Sequence, residues 1–205
     1  MRLDLHVHTS YSWDCKASPA AIVEYARKVG LDGIGVVDHG TIRGGIAVRK
    51  LAPPDFIVIV GSEIKTTRGE VMGYFLEEEV SGGEFRDVVA DIRAQGGIAV
   101  VSHPFDPFRP NSFSPRDEDA LYLDGVEVCN SRCLMSRTNK KALKYAERHG
   151  LIMTAGSDAH TLGEIGSAGV IVEDVDDIRK KGKAEIFCRQ TPIAELFKAR
   201  LSRFL

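Results

Sequence analysis

Five of the six histidines in this 205-residue chain stand where a strand-like apolar run ends, and carboxylates share those positions. The groups are His6-Val7-His8 with Asp14 just behind, Asp38-His39, Glu63, His103 and Asp158-Ala159-His160. Imidazole and carboxylate are the usual ligands of zinc, manganese and iron. On an extended segment, residues two apart face the same side, so His6 and His8 can reach one ion together. Asp158 and His160 repeat that spacing. Each group alone has an ordinary reading: Asp38-His39 as a solvated loop pair, Glu63 as a cap or ion-pair partner, His103 as a core histidine. Jointly they predict the site of a multi-metal hydrolase. The sixth histidine, His149, precedes Gly150 at the end of a helical stretch. A cationic side chain is favoured there by the helix dipole, and no catalytic role is expected of it.

The residues between these groups alternate short β-like runs with amphipathic stretches. Strands are expected at Leu3–Leu5, Ile34–Val37, Phe56–Val60, Ile98–Val101, Val126–Val128, Ile152–Ala155, Val170–Val172 and Ile186–Phe187. Val71–Phe75 reads as a strand returning after a turn at Thr66–Gly69. Helices are expected after Ser18-Pro19, an N-cap followed by a helix-starting proline, at Ile42–Leu51, at Glu84–Gln95, at Ser136–His149, and from Thr191-Pro192 to the C-terminus. Repeated strand–helix units imply parallel strands with right-handed crossovers. His6, His39, Glu63, His103, Asn130 and Asp158 each follow or end a different run. In a barrel such strand ends converge on one mouth, whereas in an open sheet they would spread along an edge. The Pro- and Phe-rich stretch Phe105–Arg116 reads as a long loop beside that mouth, a lid or a substrate wall.

The bulk properties are those of an α/β chain folding as one domain over residues 1–205. The net charge is −2 with no basic tail or stripe, so nothing independent of the motifs points to tight nucleic-acid binding. No run nears the length of a membrane span, and Met1-Arg2-Leu3-Asp4 leads straight into a strand, so a cytoplasmic protein is expected. The four cysteines form no CxxC, and no disulfide framework is expected. Cys129 and Cys133 are soft donors, but Cys129 reads as part of a buried strand.

From DLHVHTSYSWD through GLDGIGVVDHGT, VGSEI, VVSHP and VEVCNS to TAGSDAHTLGEIG, the chain resembles the PHP (polymerase and histidinol phosphatase) family of metal-dependent phosphoesterases along essentially its whole length. The resemblance implies a distorted, TIM-like (β/α)7 barrel with a metal site at its C-terminal mouth. It implies two or three divalent ions, zinc, manganese or iron: one held by His6, His8, Glu63 and Asp158, a second sharing Glu63 with His103, and a third on Asp14, His39 and His160. Many relatives carry a histidine where this chain has Glu70, so Glu70 is a candidate ligand that adds charge and hardness. Asp38 and Asn130 are expected behind the ligands, Asp38 by orienting a metal-bound histidine.

The implied reaction is hydrolysis of a small phosphomonoester or nucleotide through a metal-bridging hydroxide. It would depend on Asp158, His160 and Glu63. Arg132, close behind Asn130, and then Arg43 are the first candidates to meet the substrate phosphate, ahead of Lys16, Lys65 and Arg109. Within the family, 5′–3′ exonuclease action on short nucleic acid is the alternative. A metal-dependent amidohydrolase also begins with HxH, but such barrels often carry a carboxylated lysine at a strand end, where Glu63 stands here. A non-catalytic metal-binding domain would require ligands to be missing, and nearly all are present. The oligomeric state is not encoded in these motifs.

Overall fold

In the computed structural model, which describes residues 1–109 and 111–202, nine strands form one sheet that curls into a nearly closed barrel. In chain order the elements are β1 (Arg2–Val7), α1 (Pro19–Lys28), β2 (Gly33–His39), α2 (Arg43–Leu51), β3 (Ile57–Thr66), β4 (Gly69–Tyr74), α3 (Phe85–Ala94), β5 (Ile98–Val101), β6 (Gly125–Asn130), α4 (Ser136–His149), β7 (Ile152–Gly156), β8 (Ala168–Ile171), β9 (Glu185–Cys188) and α5 (Ile193–Ser202). The sheet order is β7-β6-β5-β4-β3-β2-β1-β8-β9.

Local chemistry explains most of these boundaries. The Ser18 hydroxyl accepts from the Ala21 amide (3.3 Å) and Pro19 opens α1, the expected N-terminal signature. Gly150 closes α4 in the left-handed conformation at φ 58°, which a side chain would resist. Strands β2, β5 and β6 are buried along nearly their whole length, with helices on one side and the barrel interior on the other, hence their continuous apolar runs.

Strand direction departs from the parallel reading at β8 and β9, while β4 returns antiparallel to β3 as the turn at Thr66–Gly69 suggests. β1, β2 and β3 run parallel, as do β5, β6 and β7, but β4 is antiparallel to both of its neighbours. β8 and β9 add antiparallel strands beyond β1, giving the nine strands that the apolar runs predict, two more than the seven-stranded barrel that the resemblance implies. The free edge of β1 is shared: Arg2 and Leu3 pair with β8, while Val7 bridges Ala159 just after β7. The His8 amide donates to the Ala159 carbonyl (3.1 Å) and the Ala159 amide to that of His6 (3.2 Å). Gly156 permits this closure, because a Cβ there would lie 2.2 Å from the His6 Cβ.

The described residues of the Phe105–Arg116 loop are anchored; residue 110 lies outside them. Phe113 is fully buried, edge-on to Phe85 (5.0 Å between ring centres), with the Arg68 guanidinium over its ring. The Asn111 carbonyl accepts from the Glu70 amide (3.0 Å), tying the loop to β4. Cys129 and Cys188 form a disulfide across β6 and β9, a single cross-link in a chain where no disulfide framework is expected. Their Cα atoms lie 6.3 Å apart, within reach of such a bond once β9 folds back over β6. Cys15 and Cys133 are free and buried. No helix among the described residues is long and apolar enough to cross a membrane.

Candidate metal centre

Strands β1 to β7 deliver polar residues to one cluster. β1 carries His6 and leads directly into His8, β2 ends in Asp38 and His39, and β3 carries Glu63 opposite His39 in register. β4 contributes Glu70, which lies within the strand rather than in the turn before it, diagonal to Glu63 across the β3–β4 pair. His103 follows β5, Glu127 and Asn130 belong to β6, and Asp158 and His160 follow β7. Two of these residues hold left-handed backbone, His103 at φ 28° and Asp158 at φ 56°. Such conformations are costly for non-glycine residues and concentrate at functional sites.

The His6 and His8 Nε2 atoms are 3.1 Å apart. The Asp158 Oδ1 lies 3.7 Å from the first and 3.5 Å from the second. The Glu63 Oε2 lies 3.7 and 3.6 Å from them. Ligand atoms on a tetrahedral ion with ordinary zinc bond lengths are separated by roughly 3.3 Å, so this spacing matches a shared cation. Asp158 Oδ1 is buried yet has no hydrogen-bond partner among the described residues, and neither ring nitrogen of His103 has one. A buried acceptor left so would be costly unless a cation met it.

Glu63 faces two ways. Its Oε1 accepts from the Ser102 hydroxyl and lies 3.1 Å from His103 Nε2, which in turn is 3.6 Å from Glu70 Oε2. Its Oε2, besides facing His6 and His8, is 3.2 Å from His39 Nδ1. Asp14 Oδ2 then meets His160 Nε2 at 2.9 Å and His39 Nε2 at 3.5 Å. Three overlapping donor groups result: His6, His8 and Asp158; His8, His39 and His160; His39, Glu63 and Glu70. The structure thus gathers all nine residues singled out as ligands.

Behind them stands a layer that orients the rings. Glu127 accepts from His6 Nδ1 (2.9 Å) through one oxygen, and from the His103 amide (2.7 Å) and Asn130 Nδ2 (3.0 Å) through the other. Asn130 also donates to Asp158 Oδ2 (3.2 Å). Asp38 acts one step further back than expected. It accepts from Ser12 Oγ (2.9 Å), and Ser12 meets His8 Nδ1 (3.1 Å). Sequence reasoning missed Glu127, Ser12 and Ser102. The one available signal was a charge inside the apolar run Val126-Glu127-Val128.

The two arginines nearest the donors are Arg109 and Arg132. Arg109, from the anchored loop, pairs with Asp158 Oδ2. Arg132 turns inward to the Asp158 carbonyl (3.2 Å), His160 Nδ1 and Glu164 (3.4 Å). Arg43 places its guanidinium 5.8 Å from the Tyr11 ring centre. Lys16 and Lys65 are exposed. His149 pairs with Asp117 (3.0 Å) at the end of α4, as its sequence position suggests.

Proton affinities show a chamber short of positive charge. Burial opposes charging His6, but the carboxylates of Glu127, Asp158 and Glu63 outweigh it and raise its pKa well above the usual value. His39 resists burial likewise and is raised to about 9 by Asp14 and Glu63. His8 goes the other way, down to about 4, because burial is joined by repulsion from His160 and His39. Glu63 and Asp158 are held well below the carboxylate range despite burial, the first by His6 and His103, the second by Arg109 and His6. Burial and the neighbouring Glu63 raise Glu70. Carboxylates that recruit protons onto histidines are suited to recruiting divalent cations in their place.

A barrel-like α/β fold with such a donor cluster at its mouth defines a class of metal-assisted hydrolases. A family model described as PHP-associated matches residues 136–191. The uncharacterized protein MJ0417 of Methanocaldococcus jannaschii is 34% identical over 193 residues, 88% of this chain and 76% of that protein. A 3′,5′-nucleoside bisphosphate phosphatase of Chromobacterium violaceum is 35% identical over 95 residues, 45% of this chain and 33% of that one. A structure from Bifidobacterium adolescentis, assigned as a metal-dependent phosphoesterase, aligns with a TM-score of 0.68 at 19% identity, covering 98% of this chain and 96% of its own, a likeness of fold. The chain belongs to the PHP family of phosphoesterases, which are hydrolases.

Proposed function

We propose that the protein hydrolyses a small phosphomonoester or nucleotide at a centre of two or three divalent ions, with zinc, manganese and iron as the candidates. In this reading His6, His8, Glu63 and Asp158 hold one ion, Glu63, His103 and Glu70 a second, and Asp14, His39 and His160 a third. One observation carries it: His6 and His8 Nε2 stand 3.1 Å apart, with Asp158 Oδ1 and Glu63 Oε2 each 3.5–3.7 Å from both, and Asp158 Oδ1 is buried without a hydrogen-bond partner among the described residues. Bound divalent ions would lower the pKa of water and offset the charge of the phosphate oxygens.

The chain's own residues do the rest. Glu127 fixes the orientation of His6, and through it the lone pair offered by Nε2. Arg109 and Asn130 hold the outer oxygen of Asp158, leaving the inner one directed at the donor cluster. Arg109 is a partly exposed cation paired with that carboxylate, so it joins Arg132 and Arg43 as a candidate to meet an incoming phosphate.

Elemental analysis of protein purified without chelator, paired with turnover on phosphomonoesters, dinucleotides and short single strands, tests the reading. Asp158→Ala is expected to lower turnover by at least ~100-fold, the scale of a lost electrostatic contribution to the transition state. His149→Ala should stay within a few-fold of wild type. Less than one equivalent of metal after saturation, or equal losses at the two positions, would overturn the proposal. Faster cleavage of single strands than of monoesters would move the assignment to an exonuclease.

A further inference from the structure

Trp13 is the only tryptophan in the chain and is 78% exposed. Its ring stacks on His39, with centres 5.9 Å apart and planes within 23°. His39 reaches Glu63 at 3.2 Å, so this indole stands at the rim of the donor cluster. A large apolar side chain left in water forgoes the burial that ordinarily justifies it.

The placement is rigid. On one side Ser12 turns inward, its hydroxyl on Asp38 (2.9 Å) and its amide on the Thr9 carbonyl (2.9 Å). On the other side Asp14 turns inward to His160 (2.9 Å). The backbone is tied again at the Ser10 amide, which donates to the Ala17 carbonyl (2.8 Å). With both neighbours committed to the interior, the indole between them is held at the mouth. Tyr11, 43% exposed, stands on the same segment with the Arg43 guanidinium 5.8 Å from its ring centre. The rim therefore offers a pre-positioned π face beside the donor cluster where a phosphate is to be cleaved.

We propose that Trp13 is a stacking platform for a flat heteroaromatic ring, so that the ester taken at this site is a mononucleotide rather than a sugar or alkyl phosphate. The inference rests on the phosphoesterase reading for its phosphate end. A nucleobase suits the geometry because every base presents a π face and stacking tolerates any base identity. His39 backs the indole from the metal side, so the base lies at the rim while the phosphate enters the cluster.

A sole tryptophan makes the test direct. Metal-loaded protein is mixed with adenosine 5′-monophosphate or with ribose 5-phosphate, and indole fluorescence is read before turnover. Quenching by the nucleotide and not by the sugar phosphate is expected. Trp13→Ala should lower the preference in kcat/KM for nucleotide over sugar phosphate by about tenfold, within the range of base–aromatic stacking. Trp13→Phe should keep most of that preference. Equal fluorescence responses to the two esters, or a preference that survives Trp13→Ala, would overturn the platform. If neither ester is hydrolysed with any metal while the nucleotide still quenches, the phosphoesterase reading fails and the platform stands.

Discussion

Glu127 holds His6 Nδ1 with one carboxylate oxygen and the His103 amide with the other, so one side chain sets two candidate ligands. Replacing it by glutamine keeps the shape and removes the charge. Metal affinity is expected to fall about 10–100-fold, the usual loss when an outer partner of a ligating histidine is removed. Competition against a chromophoric chelator measures this, and an unchanged affinity would show that His6 needs no carboxylate behind it. The ligands and their partners were not equally legible in the sequence. His6 and His8 announce themselves, since paired imidazoles at a strand end have few other uses. Glu127 does not, because a lone glutamate inside an apolar run names no partner until the fold supplies one. Only closure of the barrel makes both faces of β6 interior, and that is a long-range event. Ser12 and Ser102 gave no signal at all, since a serine beside a histidine is commonplace until the fold brings Asp38 and Glu63 to it.

At the level of elements, the helix ends were readable because their causes are local: Ser18 and Pro19 start α1, and Gly150 stops α4. Strand direction was not, because hydrophobic patterning is the same for a parallel and an antiparallel strand. The two-residue link between β3 and β4 is the exception, since a parallel pair needs a crossover of a dozen or more residues. The link from β8 to β9 is long enough for either direction, so its outcome rests on packing. Closure between β1 and the end of β7 turns on Gly156. A methyl group there would collide with the His6 backbone nitrogen and Cβ, at 2.5 and 2.2 Å, and backbone cannot swing aside as a side chain does. Gly156→Ala is therefore expected to destabilise by about 3 kcal/mol, the upper end for overpacking. It should also weaken metal binding, by displacing His6 from Asp158. Denaturant unfolding with parallel metal titration checks both, and a loss of stability with metal affinity intact would separate barrel closure from ligand placement.

Across the whole molecule, the barrel buries Asp14, Glu63, Glu70, Glu127 and Asp158 in one chamber. Arg109 and Arg132 offset part of that charge, and protons on His6 and His39 offset more. Ions entering the chamber must displace those protons, so uptake releases protons and apparent affinity falls with pH below about 9, where His39 charges. The same shift acts oppositely on the metal-free protein. A histidine whose folded pKa lies above its unfolded value stabilises the fold fully below the unfolded pKa and loses that contribution as pH rises through the folded one. Metal-free stability should thus decline between pH 6.5 and about 9 as His39 gives up its proton, while the stabilisation conferred by metal grows. Free metal at a hundred times its dissociation constant adds about 2.7 kcal/mol, or roughly 5–10 °C in melting temperature for a chain of this size. Melting curves with and without chelator should diverge from pH 6.5 to 9, and calorimetry near pH 7 should give a binding enthalpy that varies with buffer ionisation enthalpy. Parallel melting curves together with a buffer-independent enthalpy would mean that metal enters without displacing protons, and that another cation balances the buried carboxylates.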